Sequence, residues 1–145
     1  VKQMYPGHSN HVGNAVIAST TGHYGVKGVI TVDHDIEADD WDRIWWALAT
    51  RFDPKRSAQI IDRGRSTPLD PGLPIDARDI TSRIILDACT PYEWANKPQE
   101  IFMDRAMLQK VSDRWNEYGF SGTSPVAGMI NRLTRPEVKK AKGGK

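Results

Sequence analysis

Residues 29–54, VITVDHDIEADDWDRIWWALATRFDP, decide how the rest of the chain is read. Val29, Ile30 and Val32 stand in β-branched company, the composition of a buried strand. The sequence then turns acidic at Asp33, Asp35, Glu37, Asp39 and Asp40, so the strand gives way to a loop. Asp39 is the expected N-cap of a helix, with Asp40 and Asp42 in the first turn, where carboxylates meet free N–H groups and the positive end of the helix dipole. Trp41, Ile44, Trp45, Leu48 and Phe52 recur at helical spacing, which predicts one buried apolar face, and Pro54 stops the helix.

Working outward, residues 1–13, VKQMYPGHSNHVG, read as a short strand that turns at Pro6-Gly7. Asn10 or Ser9 would cap a following helix through Val12, Ala15, Val16 and Ile17, whose small side chains permit close packing on a sheet. The glycines of residues 21–28 mark a loop. Downstream, Lys55-Arg56 reads as a turn, and Ala58, Ile60 and Ile61 as a second strand. Residues 62–79 hold three prolines and two glycines and read as a long surface loop. Ile80, Ile84, Ile85 and Leu86 form a third strand. Strand, helix, strand, helix, strand predicts the α/β class: a single layered α/β domain with short, mostly parallel strands and flanking helices.

A C-terminal helical extension follows. A helix is expected over residues 99–118, with Gly119 in the C′ position. Pro125 opens a last helix and Pro136 ends it. Residues 137–145, rich in lysine and glycine, read as a basic disordered tail. Phe102, Met103, Trp115 and Trp94 are more apolar surface than a small α/β layer covers, so a second copy or another part of an assembly is expected against them.

The chain has 145 residues, enough for one hydrophobic core, and its net charge of +2 is concentrated near the end, so charge implies no nucleic-acid partner for the body. No apolar run of about 18 residues is present, so no helix is expected to span a membrane. The single cysteine, Cys89, excludes an internal disulfide and fits a reducing cytoplasm. Val1 stands inside what reads as a strand, so a piece of a longer protein is expected.

Several groupings could carry chemistry. The acidic run 33–37 begins like a calcium loop, but the glycine and the closing glutamate are missing, and capping and solvation account for it. A receiver-type magnesium site lacks an acceptor aspartate at the end of the next strand. His8 and His11 form an H-x-x-H pair beside the Pro-Gly turn, either a polar turn or a group facing an active site. His23 and His34 lie on loops. Cys89 lacks a histidine nearby to activate it and reads as a buried, inert thiol. Arg63 and Arg65 flank the long loop and read as solvated, or as part of an anion grip with Arg83. Arg83 lies within an apolar strand, where a charge needs a partner, and is expected to face an anion.

Three blocks in order, KQMYPGHSNHVGNA (2–15), VDHDIEADDWDRIWWALATRFDP (32–54) and STPLDP with TSRIILDACTP (66–71 and 81–91), resemble the UbiD family of decarboxylases. The resemblance covers about residues 1–95, with a weaker likeness at RWNEYGF (114–120). It implies a C-terminal α/β domain at 1–95, after which the helical extension read above falls at 96–136 and the tail at 137–145. It also implies reversible decarboxylation of an aromatic or α,β-unsaturated acid with prenylated FMN, Mn2+ and K+. The family's Glu-Arg-Glu triad and manganese ligands lie upstream of these blocks, so this chain would close the active site and mediate assembly. Its partners would be the remainder of the decarboxylase, as an N-terminal part or a separate subunit, and further copies in a homo-oligomer. His8 falls in the block that lies by the substrate end of the flavin in hydroxyarylic acid decarboxylases. Arg83 falls where many members have a lysine associated with the flavin phosphate. The rival classes are a regulatory or assembly subunit without catalysis and a small α/β binding domain.

Overall fold

The computed structural model describes residues 1–97 and 100–134, and the side chain of residue 132 is not among them. Gln99, Pro136 and the segment expected as a tail, 137–145, lie outside. The chain divides between residues 98 and 99 into two compact units.

The first unit is an α/β layer. Its sheet has the order β1-β3-β2, with β1 at Gly28–Thr31, β2 at Ala58–Arg65 and β3 at Ile80–Asp87. β1 runs parallel to β3, from Gly28 opposite Ile84 to Thr31 opposite Asp87, whereas β2 runs antiparallel, with Ala58 opposite Leu86 and Arg65 opposite Ile80. The sheet is therefore mixed, with one parallel and one antiparallel pairing. The long loop after β2 contains only one short 3-10 turn, Ile75–Ala77, so it makes no helical crossover and returns β3 antiparallel. Between Ile61 and Gly64 the register slips, and Arg63 takes a left-handed φ of 60°. One extra residue bulges there.

Along β3, Thr81, Arg83 and Ile85 are buried while Ile80, Ser82 and Ile84 are exposed, the period-two alternation of a sheet covered on one side. The cover is helix α1, His8–Ala18. Ile85 is 0% exposed, and a Cβ added to Gly13 of α1 would lie 2.6 Å from its Cγ2. Neither Ser9 nor Asn10 caps α1. Gly7 does so in a left-handed conformation, φ 79°, and Ser9 lies inside the helix, where its hydroxyl donates to Asp87 at 2.5 Å. A single helical turn, α2 at Gly22–Gly25, occupies the segment expected as loop. Residues 1–4 form no strand, but Gln3 Nε2 ties them to Asp33 and to the Thr90 carbonyl, each at 2.8 Å.

Helix α3 spans Trp41–Thr50 and is capped by Asp40, one residue later than expected, whose side chain accepts from the Arg43 N–H. Ile44 and Ala47 pack with Ile36 and Ala88, and Leu48 and Trp46 lie against that cluster. Trp41 and Trp45 are 61% and 65% exposed, so the predicted buried face is corrected. The helix turns its aliphatic side inward, and the two tryptophans lie around the cylinder from it. Pro54 does more than end a helix. It opens α4, Pro54–Ser57, at a position where a missing N–H costs nothing, and Asp53 caps the N–H groups of Lys55 and Arg56.

The second unit holds α5 (Arg105–Asp113), a 3-10 turn at Trp115–Tyr118 and α6 (Pro125–Leu133). The continuous helix expected over 99–118 is not formed. Asp104, extended at ψ 126°, caps α5 by accepting from the Met107 N–H, and Met103 N–H instead donates to the Leu133 carbonyl at 2.9 Å. Gly119 closes the 3-10 turn with φ 86°, the C′ role expected of it. Among the described residues no helix is long and apolar enough to cross a membrane.

Candidate functional site

The Tyr5-Pro6-Gly7-His8 turn leads into α1 and closes through His8 N–H to the Tyr5 carbonyl at 3.2 Å. His8 is half-buried at the first helical position. Its ring stacks on Tyr5, with centroids 4.4 Å apart and planes inclined by 20°, and its Nδ1 accepts from the Met4 N–H at 3.2 Å. His11, one turn further along α1, places Nδ1 3.2 Å from the Tyr5 hydroxyl. The H-x-x-H spacing thus brings both imidazoles to one tyrosine, a residue that the sequence reading passed over. The signal was in the sequence: an aromatic three residues before the first histidine, across a Pro-Gly turn.

Arg83 is 4% exposed on the covered face of β3. Nη1 donates to the Gly22 carbonyl at 2.5 Å, and Nη2 donates to the carbonyls of His23 and Arg65. Nε is buried without a partner among the described residues, and no carboxylate among them pairs with this guanidinium. The guanidinium is therefore met by carbonyl dipoles. Arg83 also helps wall a pocket of about 210 Å³ with Tyr24, Lys27, Arg65, Ser66 and Thr81. Lys27 at its edge pairs with Asp70 at 2.8 Å. That hydrogen bond, joined by the Gly72 N–H, holds the Asp70 carboxyl below its ordinary value. Arg65 lies over the Tyr24 ring at 5.0 Å, and Arg63 occupies the bulge.

A second buried arginine, Arg51, was missed. It follows the last turn of α3, is 5% exposed, and bonds Asp33 at 3.0 Å and Asp35 at 2.9 Å. Asp33 also accepts the Thr90 N–H at 2.8 Å, so the clamp joins the ends of β1, α3 and β3. Burial works against charge here and would raise Asp35, but the hydrogen bond and charge of Arg51, aided by Arg43, hold it below its ordinary value. The acidic run is thus a receptor for an arginine. The signal was the spacing of two aspartates and an arginine across one helix.

Asp87, ending β3, accepts from Ser9, from Thr31 at 3.3 Å and from the Cys89 N–H at 3.0 Å. Burial, then the charges of Asp33 and Asp87, push the Cys89 thiol far up, which leaves it a poor nucleophile. His23 rests its Nδ1 3.1 Å from the Ser19 carbonyl, and His34 is exposed on the loop after β1. Among the described residues no three His, Cys, Asp or Glu side chains converge as a metal site.

A family model described as the 3-octaprenyl-4-hydroxybenzoate carboxy-lyase C-terminal domain matches residues 1–88, more than half of the chain. Among solved structures, the chain is similar to the vanillic acid decarboxylase of Sedimentibacter hydroxybenzoicus. The two share 26% identity and a TM-score of 0.61, over 81% of this chain and 24% of that one. It is also similar to the UbiD-class enzyme HmfF from Pelotomaculum thermopropionicum, solved in complex with FMN. There the identity is 26% and the TM-score 0.60, over 72% of this chain and 22% of the other. A 3,4-dihydroxybenzoic acid decarboxylase from Enterobacter cloacae shares the fold, with a TM-score of 0.59 at 22% identity over 83% of this chain and 25% of that one. The chain thus spans about a quarter of the length of the structures it matches.

Proposed function

The chain belongs to the family of the 3-octaprenyl-4-hydroxybenzoate carboxy-lyase C-terminal domain, and from that premise we propose that it is the C-terminal part of a UbiD-class decarboxylase. The substrate class is an aromatic or α,β-unsaturated carboxylic acid. The partner is the remainder of the enzyme, as an N-terminal part or a separate subunit, and the whole is a homo-oligomer. In this reading residues 1–95 cover the active site and 96–136 extend the assembly. The setting is the cytoplasm.

The observation that carries the reading is the way α1 relates its two ends to β3. Ser9, next to His8, touches Asp87, whereas the Gly22 carbonyl beyond the other end of α1 touches Arg83. Four residues of strand separate those contacts, about 13 Å at ~3.3 Å per residue. An elongated cofactor with an anionic tail, lying along this layer, would meet the arginine at one end and have the histidine near the other. Prenylated FMN, when bound, supplies the electron sink for loss of carbon dioxide. This chain's part is then to draw the anionic tail toward the guanidinium of Arg83, and to offer His8 to the substrate. Mn2+ and K+ would find their ligands outside this chain.

The test is flavin absorbance per protomer and decarboxylation rate in the complete enzyme. His8→Ala is expected to retain flavin and lower turnover by about 10²-fold, the scale of a positioned proton-transfer group. Arg83→Met is expected to lower flavin content about tenfold, the scale of one charge-assisted contact. Its thermal melt must be measured alongside, since Arg83 also ties α2 and the end of β2 to β3. Full flavin occupancy in the Arg83 variant overturns the phosphate assignment.

The exposed pair Trp41 and Trp45 favours a second reading, an assembly subunit without catalysis of its own. A complex that keeps its full rate when His8 is replaced would favour it.

A further inference from the structure

We propose that Tyr5 is the positioning residue for His8, and that together with the Met4 N–H it makes His8 a hydrogen-bond donor through Nε2. The inference rests on the reading of His8 as the group that meets substrate.

Three contacts carry it. The Met4 N–H donates to Nδ1 at 3.2 Å, so in the neutral ring Nδ1 holds the lone pair and the proton is on Nε2. That bond alone leaves the ring free to tilt about its χ angles. The face-on stack with Tyr5, 4.4 Å between centroids, removes that freedom. Tyr5 is in turn pinned, because its hydroxyl lies 3.2 Å from His11 Nδ1 and the two rings approach at 5.7 Å. His11 reaches it because residues i and i+3 share a helix face. Gly7 makes the geometry possible. Its φ of 79° folds Tyr5 back over the start of α1, and nothing within 4 Å would obstruct a Cβ, so the glycine is required by backbone conformation alone.

Core packing does not account for this arrangement. Tyr5 is 41% exposed and Met4 71% exposed, so the stack is built at the surface. A large aromatic stacked on one imidazole and bonded through its hydroxyl to a second fixes an orientation. What it orients is the Nε2–H of His8, which suits an oxygen acceptor such as the carboxylate or ring oxygen of an acid substrate. His11 serves as the brace for Tyr5 and need not touch substrate.

The test joins spectroscopy and kinetics, both on the complete enzyme. Long-range 1H–15N correlation of the neutral imidazoles should show His8 in the Nε2–H tautomer. Tyr5→Leu removes the ring but leaves the Met4 N–H in place, so it should keep the Nε2–H tautomer and lower kcat about tenfold with KM and flavin content unchanged, the scale of a misaligned reacting group. Tyr5→Phe keeps the stack but loses the hydroxyl contact to His11, so its kcat should fall between those of Tyr5→Leu and the parent enzyme with KM unchanged, whereas a merely structural tyrosine would alter thermal stability without that graded loss of kcat. An Nδ1–H tautomer at His8 in the parent protein, or equal rates in Tyr5→Leu and the parent enzyme, overturns the proposal. Unchanged turnover in His8→Ala would overturn the underlying reading instead. The two failures are therefore distinguishable.

Discussion

At the scale of the residue, Arg51 and Arg83 show two ways to bury a guanidinium. Arg51 faces two carboxylates and the Trp46 ring at 4.9 Å, while Arg83 faces only carbonyls. Arg51→Met is expected to cost about 2–3 kcal/mol, the lower part of the range for a broken buried pair because Asp35 is half-exposed and water screens it. The loss should depend on pH. Asp35 titrates below its ordinary value in the folded chain, so its contribution is complete above the unfolded carboxylate pKa of about 4 and drains away as pH falls further. The urea midpoints of the two proteins should therefore differ most at pH 7, and the gap should begin to narrow below about pH 4. A gap that does not narrow at all as the pH falls would assign the effect to packing. Gly13→Ala should cost about 1–3 kcal/mol by overpacking against Ile85. Combined with Ile85→Ala it should cost less than the sum of the two single changes. The burial of Arg83 was legible from its place in an apolar strand. Its partners were not, because carbonyls carry no side-chain signature.

At the scale of the element, α3 was legible in existence and period but not in orientation. Ile44 and Leu48 define one apolar stripe, Trp41 and Trp45 another, and the hydrophobic pattern alone does not say which one this chain covers. The structure seats the aliphatic stripe on Ile36 and Ala88. Ile44→Ala should therefore cost about 2–4 kcal/mol through cavity formation. Trp45→Ala, at 65% exposure, should change the stability of this chain by less than about 0.5 kcal/mol. Chemical denaturation separates the two, and a large loss at Trp45 would mean that the stripe is covered in solution. The start of α5 carried a readable cap in Asp104, but the apolar run of residues 101–103 before it has helical composition and masked the boundary. The direction of β2 was not readable at all, since side chains that suit a parallel strand suit an antiparallel one equally.

At the scale of the whole molecule, the three blocks of the α/β unit were recognisable because each joins a backbone requirement to a charged or capping residue. The covered face of the sheet carries α1. The other presents Ile30, Ile60 and Ile84, at 36%, 67% and 37% exposure. Ile60→Thr should leave the urea midpoint nearly unchanged and reduce binding of an apolar fluorescent dye, a measurement that reports whether this face is open in solution. Such a face invites self-association, yet the borders of the sheet discourage it. β1 offers only four residues, and on β2 the left-handed backbone of Arg63 interrupts the ladder after four more. A strand arriving from another copy finds no run of pairing partners as long as an ordinary strand of about five or six residues. The bulge thus works against fibre growth, leaving the chain an oily surface while denying neighbouring molecules an edge on which to polymerise.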